Sequence, residues 1–440
     1  METMPERPWA NARMIIILAA LYLVYFVVFA AYAVYVPFFP SEAEDKGVSS
    51  TVIGLIFGTY PFVVFIFSAV FGFLIPKYGA RFVLLSGIFI CGGSLILFGF
   101  CDSLSDTTIF TVFCFLLRTT SAIGGAAAET SCMAILIEKF PINVGAVTGA
   151  AETFTGIGFS LGPALGGFLY SAGGFKLPFI VMGCAMISTI PAIAALLRGT
   201  EKQAVEETQE ESTSFFKALR IPGVFLSALS YVIIGCSFGY LEPIFEPHMK
   251  QLGENSVQIG LMFLLYSGVY ATLAPAIGWL GDKTKWYRGF LILGFTGFGI
   301  GYLMLGPAPF LTFLPQRKVW FVCISLPICG LGGGFSFVPI MPDLVRSARA
   351  NRMPDNSSTY AVLSSIFGCM FYLGATIGPS IAGIFSENLG FQWATSIAGF
   401  ICFGQALLLS AFTMFEPALR IDDANSGLAE EEKRPILVSS

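Results

Sequence analysis

Two apolar stretches of this chain carry the same glycine and proline spacing, and that duplication limits the fold more than any other feature. The first reads GIGFSLGPALGG from Gly156 to Gly167, and the second reads LGATIGPSIAG from Leu373 to Gly383. The shared pattern is Gly, three residues, Gly-Pro, three residues, Gly. It is carried by Gly158, Gly162, Pro163 and Gly167 in the first copy and by Gly374, Gly378, Pro379 and Gly383 in the second. Gly166 in the first copy has Ala382 as its counterpart, and both are small. Glycines four apart on a helix make a ridge without side chains that another helix can approach closely, while an internal proline frees a carbonyl and allows bending. The pattern predicts a moving joint rather than a binding pocket. A second echo supports duplication, because GFLIPKYGAR from Gly72 to Arg81 is matched by GWLGDKTKWYR from Gly278 to Arg288. The offsets are 206 (278 minus 72) and 216 (378 minus 162), a drift that suits a repeat with varied loops.

Hydrophobic residues make up 55% of the 440 and charged ones only 12%, with mean hydropathy +0.77, so most of the chain belongs in lipid. Apolar runs long enough to cross a hydrocarbon core, about 20 residues each, fall near 14–37, 52–75, 82–101, 107–128, 144–169 and 178–197. Six more lie near 221–245, 256–280, 289–306, 319–342, 356–385 and 392–414. The expected architecture is an all-α membrane protein: twelve transmembrane helices in two pseudo-symmetric six-helix halves, residues 1–197 and 221–414. The polar stretch 198–220, with EETQEEST from Glu206 to Thr213, reads as a solvated linker, and 415–440 as a tail. The polar start runs into a long apolar segment with no clear cleavage site, which predicts a retained first helix.

Lys and Arg resist translocation. With the N-terminus inside, the inner segments carry 18 of the 24, the outer loops carry 5, and Arg118 lies within a span. That asymmetry places both termini in the cytoplasm. The ten cysteines lie in or near apolar runs with no CxxC, so they read as packing residues, not as a disulfide frame or zinc site. The sequon at Asn356 lies on the expected cytoplasmic side and should stay unmodified. His248, the one histidine, is expected to be an ordinary solvated residue in an outer loop.

A charge within a span costs roughly 2.5 to 3.5 kcal/mol on insertion scales, so each needs a reason. Four stand out: Arg118, Glu129, Glu152 and Glu242. Pro243 follows Glu242 and denies the Gly239 carbonyl its helical partner, while Gly235 and Gly239 loosen the same helix; a carboxylate on a broken helix can hold a cation. The alternative is a Glu simply reaching water. Glu152 points roughly 80° away from Gly162 on an ideal helix, so it faces a central cavity, bonds within the bundle or snorkels towards the cytoplasm. Arg118 shares a face with Ala122, Gly125 and Glu129, but eleven residues rise about 16 Å, so Arg118 and Glu129 each need a partner on another helix. Arg118 reads equally as a proton-coupling charge or as a structural cap, and Glu129, near its helix end, as a solvated residue.

Over essentially its whole length the chain resembles the major facilitator superfamily, and within it the vesicular amine transporters, solute carrier family 18. The glycine-proline pattern resembles that superfamily's antiporter motif. Gly72 to Arg81 resembles its loop motif, with Pro76 in place of the usual Asp; the second copy keeps Asp282. Arg118 with Gly124 and Gly125 resembles the fourth-helix motif tied to proton coupling. The LEP at Leu241 to Pro243, VPIMPDLV from Val338 and YLGATIGPSIAG from Tyr372 resemble motifs of the vesicular branch, where the seventh-helix Glu contacts amines. Where monoamine and acetylcholine carriers place Asp, Lys, Asp and Asp, this chain has Val28, Tyr60, Gly334 and Gly368. That departure, with PFFPSEAEDKG from Pro37 and ETFTGIG from Glu152, resembles the polyamine branch. The resemblance implies proton-driven loading of spermine and spermidine into vesicles. Glu432, Ile436 and Leu437 fit an acidic dileucine-like sorting signal that an adaptor would read.

The expected function is an antiporter of protons and small organic cations, working by alternating access at the interface of the halves, with Glu242 and Glu152 binding cation or proton. The rivals are a drug/proton exporter at the plasma membrane and a non-transporting sensor or scaffold. No nucleophile–base pair, metal cluster or phosphate loop appears in the expected aqueous segments, so no enzyme activity, cofactor, metal or nucleic-acid partner is expected.

Overall fold

The computed structural model describes residues 12–140, 144–198, 215–351, 353 and 357–415, and among these there are helices and no strands. The first half comprises α1 (Ala12–Ala33), a short α2 (Phe39–Asp45), α3 (Ser50–Tyr78), α4 (Ala80–Gly99), α5 (Thr107–Lys139), α6 (Val144–Gly173) and α7 (Lys176–Leu196). In the stretch expected as linker, residues Phe215–Leu219 form α8. The second half continues with α9 (Pro222–Tyr240), a short α10 (Phe245–Gln251), α11 (Ser256–Thr284), α12 (Tyr287–Leu305), α13 (Val319–Phe337), α14 (Ile340–Ala350), α15 (Ser357–Leu389) and α16 (Phe391–Phe415). Eleven helical segments are long and apolar enough to cross a membrane by length and composition. The thirty-residue α6, diluted by glycines, Pro163 and Glu152, runs beside them between α1 and α11 as the twelfth.

Local signals start these helices where the apolar runs begin. Ser49 caps α3 by accepting from the Val52 N–H, and Asp106 caps α5 by accepting from Ile109 at 2.8 Å. Asn255 and Gln258 close a reciprocal capping box on α11 at 2.9 and 2.8 Å. The Ser49 and Asn255 caps are 206 positions apart (255 minus 49). Gly79, at φ 86°, makes the sharp corner between α3 and α4 in a backbone region that favours glycine. Helix α5 runs eleven residues past the expected boundary at 128, because Ala126, Ala127 and Ala128 continue it to Lys139.

The duplication is visible atom by atom. Both α1 and α9 break before a short helix, and in each the same bond bridges the break: the Phe39 N–H donates to Tyr35 O at 2.9 Å, and the Phe245 N–H to Leu241 O at 3.0 Å. The glycine ridges also pack alike. A Cβ on Gly158 or Gly162 would strike the carbonyls of Phe26 and Ala30 on α1, one on Gly166 that of Val34 just past its end, and one on Gly374 or Gly378 those of Val232 and Cys236 on α9. The ridge therefore fastens each motif helix inside its own half. The contact between halves falls to the last glycine and the proline: Gly167 and Pro163 meet Ser256 and Gly260 of α11, while Gly383 and Pro379 meet Ser50 and Gly54 of α3. These two seams exchange under the repeat, since 256 minus 50 and 260 minus 54 are both 206, and 383 minus 167 and 379 minus 163 are both 216.

Polar clasps reinforce that end of the molecule. Glu246 of α10 accepts from the Ser41 N–H at 2.8 Å and its hydroxyl at 2.7 Å, and Glu387 of α15 accepts from the Thr51 N–H at 2.8 Å. Toward the other end, a Cβ at Gly149 or Gly156 on α6 would meet nothing within 4 Å. Within the second half, buried Arg288 pairs with fully buried Asp343 at 3.2 Å, and the same carboxylate accepts from Ser227 Oγ at 2.5 Å. That ion pair ties α14 to α9 and α12, and the sequence reading did not single it out.

Candidate functional site

Between the halves lies a cavity of about 200 Å³. Its walls are mainly aromatic, with Tyr60 and Phe159 from the first half and Tyr231, Phe337 and Phe371 from the second. Three carboxylates reach it: Glu129 from α5, Glu152 from α6 and Glu242 from the break after α9. Apolar rings surrounding acidic groups suit a cation with an apolar body, since ring faces attract cations and also pack against methylenes.

Glu242 sits at the sealed end and is 2% exposed. The sequence predicted a stranded Gly239 carbonyl; in the structure that carbonyl accepts from the Glu242 N–H at 3.3 Å, so the turn that repairs the break is the one carrying the carboxylate. Oε2 accepts from the Tyr32 hydroxyl of the opposite half at 3.2 Å, and Oε1 has no partner among the described residues. The Ser160 hydroxyl, also lining the cavity and buried, is likewise unpartnered. Leaving a buried polar atom unsatisfied costs about 1–3 kcal/mol, more for a charge, so this pocket is disposed to take up a proton or a cation.

Arg118 is 3% exposed and makes no ion pair within 4 Å among the described residues. Its guanidinium donates to the Tyr35 hydroxyl and lies 4.3 Å from the centre of the Tyr35 ring, 4.8 Å from Tyr60 and 5.4 Å from Tyr32. Three ring faces hold the charge that no carboxylate touches. Tyr32 thus joins the two charges, its face toward Arg118 and its hydroxyl on Glu242.

The repeat shows how unusual this arrangement is. At the 206 offset Glu242 corresponds to Val36 and Phe238 to Tyr32. Helices α4 and α5 pack at Gly87 and Gly124 as α12 and α13 do at Gly294 and Gly332; at the latter pair's offset of 208 (332 minus 124), Arg118 corresponds to Leu326 and Glu129 to Phe337. At 216, Glu152 corresponds to Gly368, one of the positions where related carriers place Asp. Each charged member of the site therefore stands opposite an apolar or glycine counterpart on a common scaffold.

The structure has Glu152 lining the cavity and at the same time exposed, so it both faces the chamber and reaches solvent. Glu129 was expected to be solvated; instead it lines the cavity, and the Tyr372 hydroxyl of the other half donates to it, lying 2.7 and 2.8 Å from its two oxygens. Its helix continues past it for ten residues, which is what keeps it off the surface. His248 is also not a solvated loop residue: it is buried and stacks on Phe391 at 3.9 Å with planes 7° apart. Asp282 lies exposed at the end of α11 beside Tyr287, away from the cavity. Pro243 lies in the turn beside Glu242, while Glu432, Ile436 and Leu437 fall outside the described residues. Of the four substituted family positions, Tyr60 and Gly368 line the cavity and Val28 is buried in the core.

A two-half helical bundle with a charged, aromatic chamber at the seam is the form of a membrane transporter. The chain belongs to the major facilitator superfamily, whose model matches residues 21–370, and to its solute carrier 18 family of vesicular amine transporters. It is 36% identical to the MFS-type transporter SLC18B1 of Rattus norvegicus over 91% of this chain and 87% of that one, and 34% identical to the Homo sapiens protein over 98% and 93%. The synaptic vesicular amine transporter of Homo sapiens is 25% identical over 82% of this chain and 66% of its own. Among solved structures, a bacterial homologue of the human lysosomal transporter Spinster, in an inward-facing and occupied conformation, matches with TM-score 0.71 at 14% identity, covering 95% of this chain and 98% of that one.

Proposed function

We propose that this transporter exchanges protons for organic cations, polyamines foremost, and loads them into acidic vesicles by rocking its two halves about the chamber. The observation that carries this reading is Glu242: a buried carboxylate with one free oxygen facing the cavity, held at the sealed end by a hydroxyl from the opposite half. One carboxylate does not hold a proton and an ammonium at once. Opening toward an acidic lumen protonates it and releases the amine; return to the neutral cytoplasm sheds the proton and restores the anion. Arg118, caged by tyrosines near Glu242, biases that exchange, and Glu152 near the open end offers the first negative charge to an entering cation.

The substrate class is supported by the 34–36% identity to the SLC18B1 transporters and by the absence of the acidic and basic residues that monoamine carriers use at Val28, Tyr60, Gly334 and Gly368. The test is uptake of labelled spermidine into proteoliposomes under an imposed pH difference. Glu242→Gln should abolish pH-driven uptake while the protein retains its elution profile and thermal stability. Wild-type rates in that variant remove the role.

A further inference from the structure

We propose that Glu242 and Glu129 are the two ends of a length-selective site, so that the chamber takes linear cations carrying two or more ammonium groups in preference to those carrying one. The inference rests on the organic-cation reading above and adds Glu129, with Tyr372 as its gate.

Two helices measure the distance between the ends. On α1, Tyr32 reaches the Glu242 side chain at 3.2 Å and Tyr25 reaches the Glu129 main-chain carbonyl at 3.2 Å; seven residues separate these tyrosines, about 10 Å of helix. On α5, Arg118 packs on Tyr32 and Glu129 lies eleven residues on, about 16 Å. The helix positions that mark the two ends are therefore offset by roughly 10–16 Å along the bundle axis, beyond the reach of a single ammonium. Glu152 continues the series toward the open end, about 9 Å of helix before Gly158, which packs on the Phe26 carbonyl. The walls of the chamber are mainly aromatic rings, which suit methylene segments between charges.

The two ends differ in readiness. Glu242 Oε1 is buried and has no partner among the described residues, so that end is open to a donor. Glu129 is held by the Tyr372 hydroxyl, so a second ammonium takes the place of that donor and in doing so removes a bond between the halves. A monoamine seated on Glu242 leaves the Tyr372 latch in place; a longer cation releases it. Selection for length and release of the halves then arise from one contact.

The experiment uses purified full-length protein, first in equilibrium binding and then in proteoliposomes, with a monoamine, a series of linear α,ω-diamines of increasing length, and spermidine. In the wild type, affinity is expected to rise at least tenfold once the chain is long enough to span the ends. In Glu129→Gln this gain should vanish while monoamine affinity stays within twofold. Glu129→Asp, which keeps the charge on a shorter arm, should retain the gain with its optimum moved to longer chains; if Glu129→Gln does not fold, this shift is the readout. Affinity independent of chain length in the wild type, or equal weakening of monoamine and diamine in Glu129→Gln, overturns the two-ended site while leaving cation exchange standing. A wild type that neither binds nor moves any amine overturns both readings.

Discussion

Tyr32 donates its hydroxyl to Glu242 across the seam at 3.2 Å while its ring faces the Arg118 guanidinium at 5.4 Å, so one side chain mediates between a carboxylate and the buried cation. Tyr32→Phe keeps the ring over Arg118 and strips Glu242 of its one described donor. A hydrogen bond to a charged group contributes about 1.5–3 kcal/mol. Amine exchange in this variant should fall roughly tenfold or more, by the 1.4 kcal/mol-per-decade relation, with little change in thermal stability. Initial rates of labelled amine exchange at several concentrations check this, and wild-type kinetics would show that the cross-half bond plays no part in transport.

Arg118→Lys tests the tyrosine cage. A planar guanidinium can lie against several rings while still donating to Tyr35, whereas a compact, strongly hydrated ammonium cannot match that geometry. Each cation–π contact in a desolvated site amounts to about 1–2 kcal/mol. The variant should lose most of its transport although its formal charge is unchanged, and a thermal unfolding scan in detergent should show a lower midpoint.

The seams make a different prediction. A Cβ at Gly383 would strike the Ser50 carbonyl of the opposite half, whereas one at Gly166 would strike Val34 within its own half. Gly383→Leu should hold the sealed end apart without dissolving either bundle. A cysteine placed at Ser41, in a background with the native cysteines replaced, should then react faster with a membrane-impermeant thiol reagent. Gly166→Leu should instead lower folding yield and leave little protein to label.

The Arg288–Asp343 pair should matter to folding and not to substrate choice. Removing one partner of a buried ion pair strands the other, at about 3–5 kcal/mol. Asp343→Ala should cut the yield of monodisperse protein sharply, and whatever survives should keep the wild-type order of preference among amines in a competition assay.

Much of this was legible in the residues. The glycine-proline echo and the apolar runs specified twelve spans in two halves, because membrane helices satisfy their own backbone bonds and announce themselves by length and hydropathy. Glu242 and Arg118 stood out because charge in lipid is costly. Glu129 stood out with them but read as a solvated end residue, because the apolar run ends at 128 in the sequence while Ala126 to Ala128 carry the helix on, making an interior carboxylate look terminal. Tyr32 and Tyr372 gave no signal as two tyrosines among fifteen, since a hydroxyl's importance lies in what it meets across a seam the sequence does not draw. The partner for His248 was likewise remote: Phe391 is 143 positions away (391 minus 248). Laying the halves on one another at the level of single residues would have found Glu129 opposite Phe337.

The swapped seams carry a historical implication. Gly383 on Ser50 and Gly167 on Ser256 are one contact used twice, which is how identical subunits meet about a two-fold axis. Six helices bearing both the knob and the socket are competent to assemble with a copy of themselves, and fusion of such a pair into one polypeptide releases each copy from having to match the other. Val36 and Glu242, or Leu326 and Arg118, mark where that freedom was taken: the frame stayed a dimer, and the chemistry ceased to be one.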